Sequence, residues 1–197
     1  MRLFNYDIRI DTFLKKGIKS VKDDFFIALI TGYQGSGKNF LGCMLVDSLK
    51  DRTIVTNIHS LNIPNRHIIY FNKLEEIYKW EDTNAVYLID ELSKKFTKEC
   101  KQDTQFYAWL QQSRKHCRYV YLITQEYIQV PTWLRGVANR VYTTNKLHFG
   151  LFKTSLGVPV LNEVTKEWET DNYAYIIYKR IKKYADMYDT FEVITSL

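Results

Sequence analysis

An apolar run, Phe25-Phe26-Ile27-Ala28-Leu29-Ile30, passes through Thr31 directly into GYQGSGKNF, Gly32–Phe40. No other stretch restricts the fold as strongly. Strand, glycine turn, lysine and helix start is the order of a phosphate-binding loop, G-x-x-x-x-G-K followed by a hydroxyl residue. Gly32, Gly35 and Gly37 let backbone N–H groups converge on phosphate oxygens. Lys38 adds a point charge for the β- and γ-phosphates, and Gln34, Ser36, Asn39 and Phe40 complete the segment expected to touch a nucleotide. Only Asn39 is off-pattern, because Ser or Thr is expected there to ligate Mg²⁺ through its hydroxyl. Two readings of Asn39 stand: a variant with weaker metal binding, or an altered site that binds nucleotide and turns over slowly.

The rest of the chain alternates in period. Continuous apolar character predicts buried strands at Asp24–Thr31, Thr53–Ile58, Ile68–Phe71, Ala85–Asp90 and Tyr119–Thr124. Helical spacing predicts Lys38–Leu49, a short Leu74–Trp80, Asp103–Cys117 and, after Pro131, Thr132–Asn139. Arg140–Thr144 reads as a further strand, and His148–Lys153 with Tyr173–Lys179 as a hairpin. Met1–Asp11 alternates like a short strand. The pattern predicts an α/β fold with a mostly parallel sheet flanked by helices, its site beyond the carboxyl ends of the strands. The expected division is an N-terminal extension over 1–23, a core over 24–145 and a strand-rich extension over 146–197 packed on it.

At 197 residues, 46% hydrophobic and 25% charged, the chain suits one well-packed domain. A net charge of +6 permits a nucleic-acid partner without requiring one. Cys43, Cys100 and Cys117 follow no metal or disulfide spacing, which suits a reducing compartment. The four histidines are scattered, so no metal centre is expected from them. No apolar run reaches the length of a membrane span, and no secretory signal is visible.

Two further strand ends carry polar pairs. In AVYLIDE, Asp90 and Glu91 emerge at the same edge as the glycine loop. Asp90 is placed to face Mg²⁺ and Glu91 to deprotonate a water. The competing reading is a cap for a helix starting near Leu92. In YVYLITQ, Gln125 is placed to orient that water or sense the γ-phosphate, with an ordinary loop start as the alternative. The acid pair favours hydrolysis of ATP coupled to motion over phosphoryl transfer to a small acceptor.

The order GYQGSGKN, YLIDE, YLITQ resembles the FtsK–HerA superfamily of DNA-translocating P-loop ATPases over roughly residues 24–145. Within it, the small size is similar to viral genome-packaging ATPases. The stretches IVTNIHSLNIP and LQQSRKHCRYVYLITQ resemble the zonula occludens toxin-like filamentous-phage assembly ATPases. The resemblance implies a RecA-like ATPase that binds ATP and Mg²⁺. Lys38 would be the phosphate lysine, Asp90 with Asn39 the metal side, Glu91 the general base and Gln125 the sensor. It further implies a homo-oligomeric ring, usually a hexamer, passing double-stranded DNA, with a capsid portal or vertex protein as a further partner and the host cytoplasm or the virion as its place. The filamentous-phage branch carries a membrane span after its ATPase domain, so the expectation here turns to packaging into a capsid. Virion assembly or secretion, and an assembly factor without translocation, are the alternatives.

A ring ATPase implies an arginine acting on the neighbour's phosphates. Arg114 is the first candidate and Arg135 the second, with Arg118 and Arg140 behind them. Charge at a helix carboxyl end is the competing reading of Arg114. DNA contact is expected at Lys94, Lys95, Lys98 and Lys101, or at Lys179, Arg180, Lys182 and Lys183, where a solvated charged surface is the plainer alternative.

Overall fold

The computed structural model describes residues 25–80, 84–179 and 182–189. The strand read at the N-terminus, the extension over 1–23 and Arg180 lie outside the described residues. Strands β1 (Phe26–Thr31), β2 (Thr53–Thr56), β3 (Ile68–Tyr70), β4 (Ala85–Ile89), β5 (Tyr119–Ile123), β6 (Arg140–Lys146), β7 (Leu151–Leu161) and β8 (Trp168–Lys179) form one sheet. The helices are α1 (Lys38–Ser48), α2 (Thr104–Gln111), α3 (Thr132–Val137) and α4 (Lys182–Ala185). The strand order is β3-β2-β4-β5-β1-β6-β7-β8. The first six strands in that order pair in parallel, whereas β6–β7 and β7–β8 pair antiparallel. The sheet is therefore mixed, with an antiparallel hairpin extending its parallel part.

Period-2 alternation sorts the parallel strands onto two cores. Phe26, Ala28 and Ile30 of β1 join Val86, Leu88, Tyr121 and Ile123 beneath α1. Ile27 and Leu29 join Tyr87, Ile89, Val120 and Leu122 on the other face, under Phe106, Trp109 and Leu110 of α2. Both faces are covered, which is why these strands read as unbroken apolar runs. The aromatic residues of α2 serve the core: Phe106 stacks on Phe96 at 5.3 Å, and Trp109 meets Tyr87 edge-on at 4.8 Å.

Several expected elements differ by a residue or two at their ends, and two differ by more. The helix read as Asp103–Cys117 closes at Gln111 and tightens into a 3₁₀ turn over Gln112–Arg114. Cys117 has φ 49°, and the Arg118 N–H returns to the Ser113 carbonyl at 3.0 Å, which turns the chain into β5. Its start is as expected, since Asp103 Oδ1 accepts the N–H groups of Gln105 and Phe106. The hairpin, read as two short strands, is a long pair with a register shift at Leu156/Gly157.

Candidate nucleotide site

The parallel topology brings the ends of β1, β4 and β5 to one edge. They open there onto a cavity of about 320 Å³ lined by Gln34, Gly35, Gly37, Lys38, Asn39, Asp90, Glu91, Thr124 and Gln125, among others. Three stretches far apart in sequence, the glycine loop, the acid pair and the TQ pair, therefore meet.

The loop is held tightly. Gly32 has φ 149°, and a Cβ there would lie 2.3 Å from the Thr144 carbonyl oxygen. Gly37 has φ 90°, and its Cβ would meet the Phe152 ring at 2.9 Å. A side chain fits at neither position. The Ser36 hydroxyl shares a hydrogen bond of 2.8 Å with Thr144, so its side chain serves the loop's own anchorage. The Gly32 N–H donates to the Gln125 carbonyl at 2.7 Å, and the Thr124 N–H to the Ile30 carbonyl at 2.9 Å. The turn after β1 and the end of β5 are thus one hydrogen-bonded unit, with the Gln125 side chain exposed.

Lys38 curls back over the loop. Its Nζ donates to the Gly32 carbonyl at 2.7 Å and to the Tyr33 carbonyl at 3.1 Å. Burial lowers its pKa, opposed by the negative charges of Asp90 and Glu91. An anion entering the loop would favour the charged ammonium.

Asp90 is buried, with 7% exposure, and both its oxygens have donors. Oδ1 accepts the Glu91 N–H at 2.7 Å and Oδ2 accepts Asn39 Nδ2 at 2.6 Å. Burial raises its pKa, against the lowering effect of those two bonds. Glu91 sits in the left-handed region at φ 54°, ψ 37°. Such a conformation costs a non-glycine residue about 1–3 kcal/mol, and it aims the side chain out of the strand line. Its carboxylate pairs with Lys94. A 3₁₀ turn does begin at Leu92, yet no side-chain cap bond holds it.

Sequence reasoning assigns no role to Asn57, at the end of β2. Asn57 is 2% exposed and clasps the Asp90 backbone twice. Its Oδ1 accepts the Asp90 N–H at 2.8 Å, and its Nδ2 donates to the Asp90 carbonyl at 3.0 Å. A polar residue ending a buried strand is the available signal. Asn57→Ala leaves both backbone groups buried and unpaired. It should lower unfolding free energy by about 1–3 kcal/mol, read from a denaturant titration.

Three expected site residues are placed otherwise. Phe40 is 1% exposed and packs against Phe152 and Tyr178, at 6.1 and 5.9 Å, which also stack on each other at 6.0 Å. The helical period turns its ring into the core, leaving only its backbone N–H, in the first turn of α1, for a ligand. Asn39 presents a nitrogen donor, not an oxygen ligand, to Asp90 in this arrangement. An ionised carboxylate only accepts, so the amide nitrogen is the atom that must face it. The Asn39–Asp90 pair therefore does not fit a divalent cation held between the two side chains. No cluster of three or more His, Cys, Asp or Glu suited to a metal occurs among the described residues. Arg135, 3% exposed, gives its guanidinium to its own chain: Nη1 donates to the Trp168 carbonyl at 3.2 Å, and the group lies 5.5 Å from the Tyr127 ring. It is not presented to a neighbour.

Arg114 is exposed and lies just before β5, at the amino edge of the parallel strands. That edge is opposite the cavity of its own chain. Arg118 is buried against Trp109, its Nη2 donating to the Trp80 carbonyl at 3.1 Å, and Arg140 is buried over the Phe26 ring at 4.6 Å. Of the basic clusters, Lys94 pairs with Glu91, Lys95 with Glu75 at 2.7 Å and Lys183 with Asp47 at 2.9 Å. Lys98 and Lys101 are exposed. Among the described residues no helix is long and apolar enough to cross a membrane.

Comparison with known proteins gives this geometry its relatives. The N-terminal domain of zonular occludens toxin from Neisseria meningitidis matches at a TM-score of 0.62 and 21% identity, over 83% of this chain and 98% of that one. The genome packaging NTPase B204 from Sulfolobus turreted icosahedral virus 2, in complex with AMPPCP, matches at 0.54 and 13% identity, over 79% and 98%. The RadB recombinase matches at 0.50 and 12% identity, over 80% and 88%. At such identities the likeness is one of fold, here an α/β fold related to several NTPase folds. No curated protein matches the sequence. The family model for zonular occludens toxin (Zot) matches residues 26–192, far more than half of the sequence, and the chain belongs to that family.

Proposed function

We propose that the chain is an ATP-hydrolysing assembly ATPase of the zonula occludens toxin-like type, working in phage virion assembly or export. The observation that carries this reading is the meeting of Lys38, Asp90, Glu91 and Gln125 at one opening beside a glycine loop that admits no side chain at Gly32 or Gly37. Family membership favours it over the capsid-packaging reading.

In this account the triphosphate lies on the backbone N–H groups of the loop and the first turn of α1. Lys38 leaves the carbonyls of Gly32 and Tyr33 for the β- and γ-phosphates. Glu91 takes the proton of the attacking water, and Gln125 orients that water. The bond between Gln125 and Gly32 ties the sensor strand to the loop, so occupancy of the loop is felt at β5. Asp90 acts through what it holds: the Glu91 backbone and the Asn39 amide.

The RecA-like, FtsK–HerA assignment belongs to the same proposal, supported by β5 lying between β1 and β4. So do the ATPase core over 24–145 with residues 146–197 packed on it, a ring that is usually hexameric, and the host cytoplasm or virion as its place. Fold likeness to B204 supports the second reading, a motor driving double-stranded DNA into a capsid through a portal or vertex partner. ATP turnover with and without long duplex DNA separates the two. Assembly without translocation gives equal rates, and DNA packaging gives stimulation. Absence of turnover in both samples contradicts either reading.

Arg114 lies on the wrong edge to serve its own site, so any action on phosphate must be in trans. Arg114→Ala should bind ATP without hydrolysing it. Mixed with Glu91→Gln subunits, it should recover activity at interfaces that pair an intact loop and base with an intact arginine. Proven mixing without recovery removes Arg114 from the role.

A further inference from the structure

Asn39 stands where a phosphate-binding loop usually carries a hydroxyl that ligates a cation. Its amide nitrogen is 2.6 Å from Asp90 Oδ2. Asn57 holds the Asp90 backbone through both its N–H and its carbonyl, and the other carboxylate oxygen accepts the Glu91 N–H. The pair is a half-buried contact at the wall of the cavity, where Asn39 lies beside Gly37 and Lys38.

An amide nitrogen carries two protons. Asp90 takes one. The second is a donor on a residue that already lines the opening, on the side of α1 where the first-turn N–H groups have no partner within the helix. A phosphate oxygen is the acceptor such a group fits. We propose that the Asn39 amide takes over the bridge that a divalent ion makes elsewhere, with one N–H on Asp90 and one on a nucleotide phosphate, so that this chain binds nucleoside triphosphate without a divalent cation. The inference rests on the nucleotide reading of the site and adds to it how the phosphates are held.

Electrostatics supports the exchange. A buried carboxylate beside a triphosphate repels it unless something intervenes. A cation solves this by charge. Here Lys38 supplies the charge and Asn39 covers the near face of Asp90 with the positive end of its dipole. A threonine hydroxyl is carried on a shorter side chain, so Asn39→Thr withdraws the donor from Asp90 and opens a gap that a hydrated cation can fill.

The test is calorimetric titration of AMPPCP, which resists hydrolysis, into wild-type chain and Asn39→Thr, each in EDTA and in Mg²⁺. Wild-type affinity should agree within about threefold between the two buffers. Asn39→Thr should bind about tenfold or more weakly in EDTA, as the loss of a charge-assisted hydrogen bond implies, and recover in Mg²⁺. Circular dichroism melting of both chains shows whether the variant is folded. Wild-type binding that appears only with Mg²⁺ overturns the inference and leaves the nucleotide reading standing. Equal binding by folded Asn39→Thr in both buffers also overturns it. No binding by wild type in either buffer overturns the nucleotide reading and the inference with it.

Discussion

Lys38→Ala is expected to weaken ATP binding by about 10- to 100-fold, the worth of a charge-assisted hydrogen bond to phosphate. The fold should survive. Lys38 contributes two bonds to loop carbonyls, Gly32 and Tyr33. The loop itself is anchored by Ser36 on Thr144 and by Gly32 on Gln125, neither of which involves Lys38. Calorimetry against ATP, with a thermal melt alongside, measures both parts. Wild-type affinity in a folded Lys38→Ala chain would remove the loop from the site.

Glu91→Gln should separate binding from chemistry. The substitution keeps size, the left-handed backbone and the N–H that Asp90 holds, but removes proton acceptance. Turnover should fall by about 10²–10⁴-fold, the usual contribution of a positioned base, while ATP affinity changes little. The ion pair with Lys94 is lost in the same step. Lys94→Met controls for it: if the pair only steadies Glu91, that variant keeps most of its turnover. Hydrolysis at the wild-type rate by Glu91→Gln would show that Glu91 is not the base and leave it a structural role.

The parts of this molecule that can be read from sequence are those whose physics is local. Phe25–Phe40 announces a buried strand, a turn that only glycine can make and a helix start, and β1, the loop and α1 follow in that order. The strands ending in Asp90-Glu91 and Thr124-Gln125 are legible for the same reason, since a strand covered on both faces must be apolar until it leaves the sheet. What sequence hides depends on partners far along the chain. Asn57 meets Asp90 across 33 positions, and nothing near Asn57 announces that pairing. Phe40 reads as part of the loop because its destination, Phe152 and Tyr178, is the C-terminal hairpin. That hairpin reads too short. The register shift at Leu156/Gly157 breaks the alternation, and Gly157 packs so closely that a Cβ would lie 2.5 Å from the Asp171 carbonyl oxygen. Arg135 is misplaced by sequence for the same reason, since its main acceptor is the carbonyl of Trp168 at the start of β8. The Asn39 departure is visible as a letter, but the atom it turns toward Asp90 is not.

Release of inorganic phosphate from ATP, followed across protein concentration with bound ATP measured in the same samples, tests the central claim most directly. A site that hydrolyses ATP with help from a neighbouring subunit gives saturable phosphate release that rises more steeply than protein concentration until assembly is complete. ATP bound at the loop with no phosphate released at any concentration would contradict it.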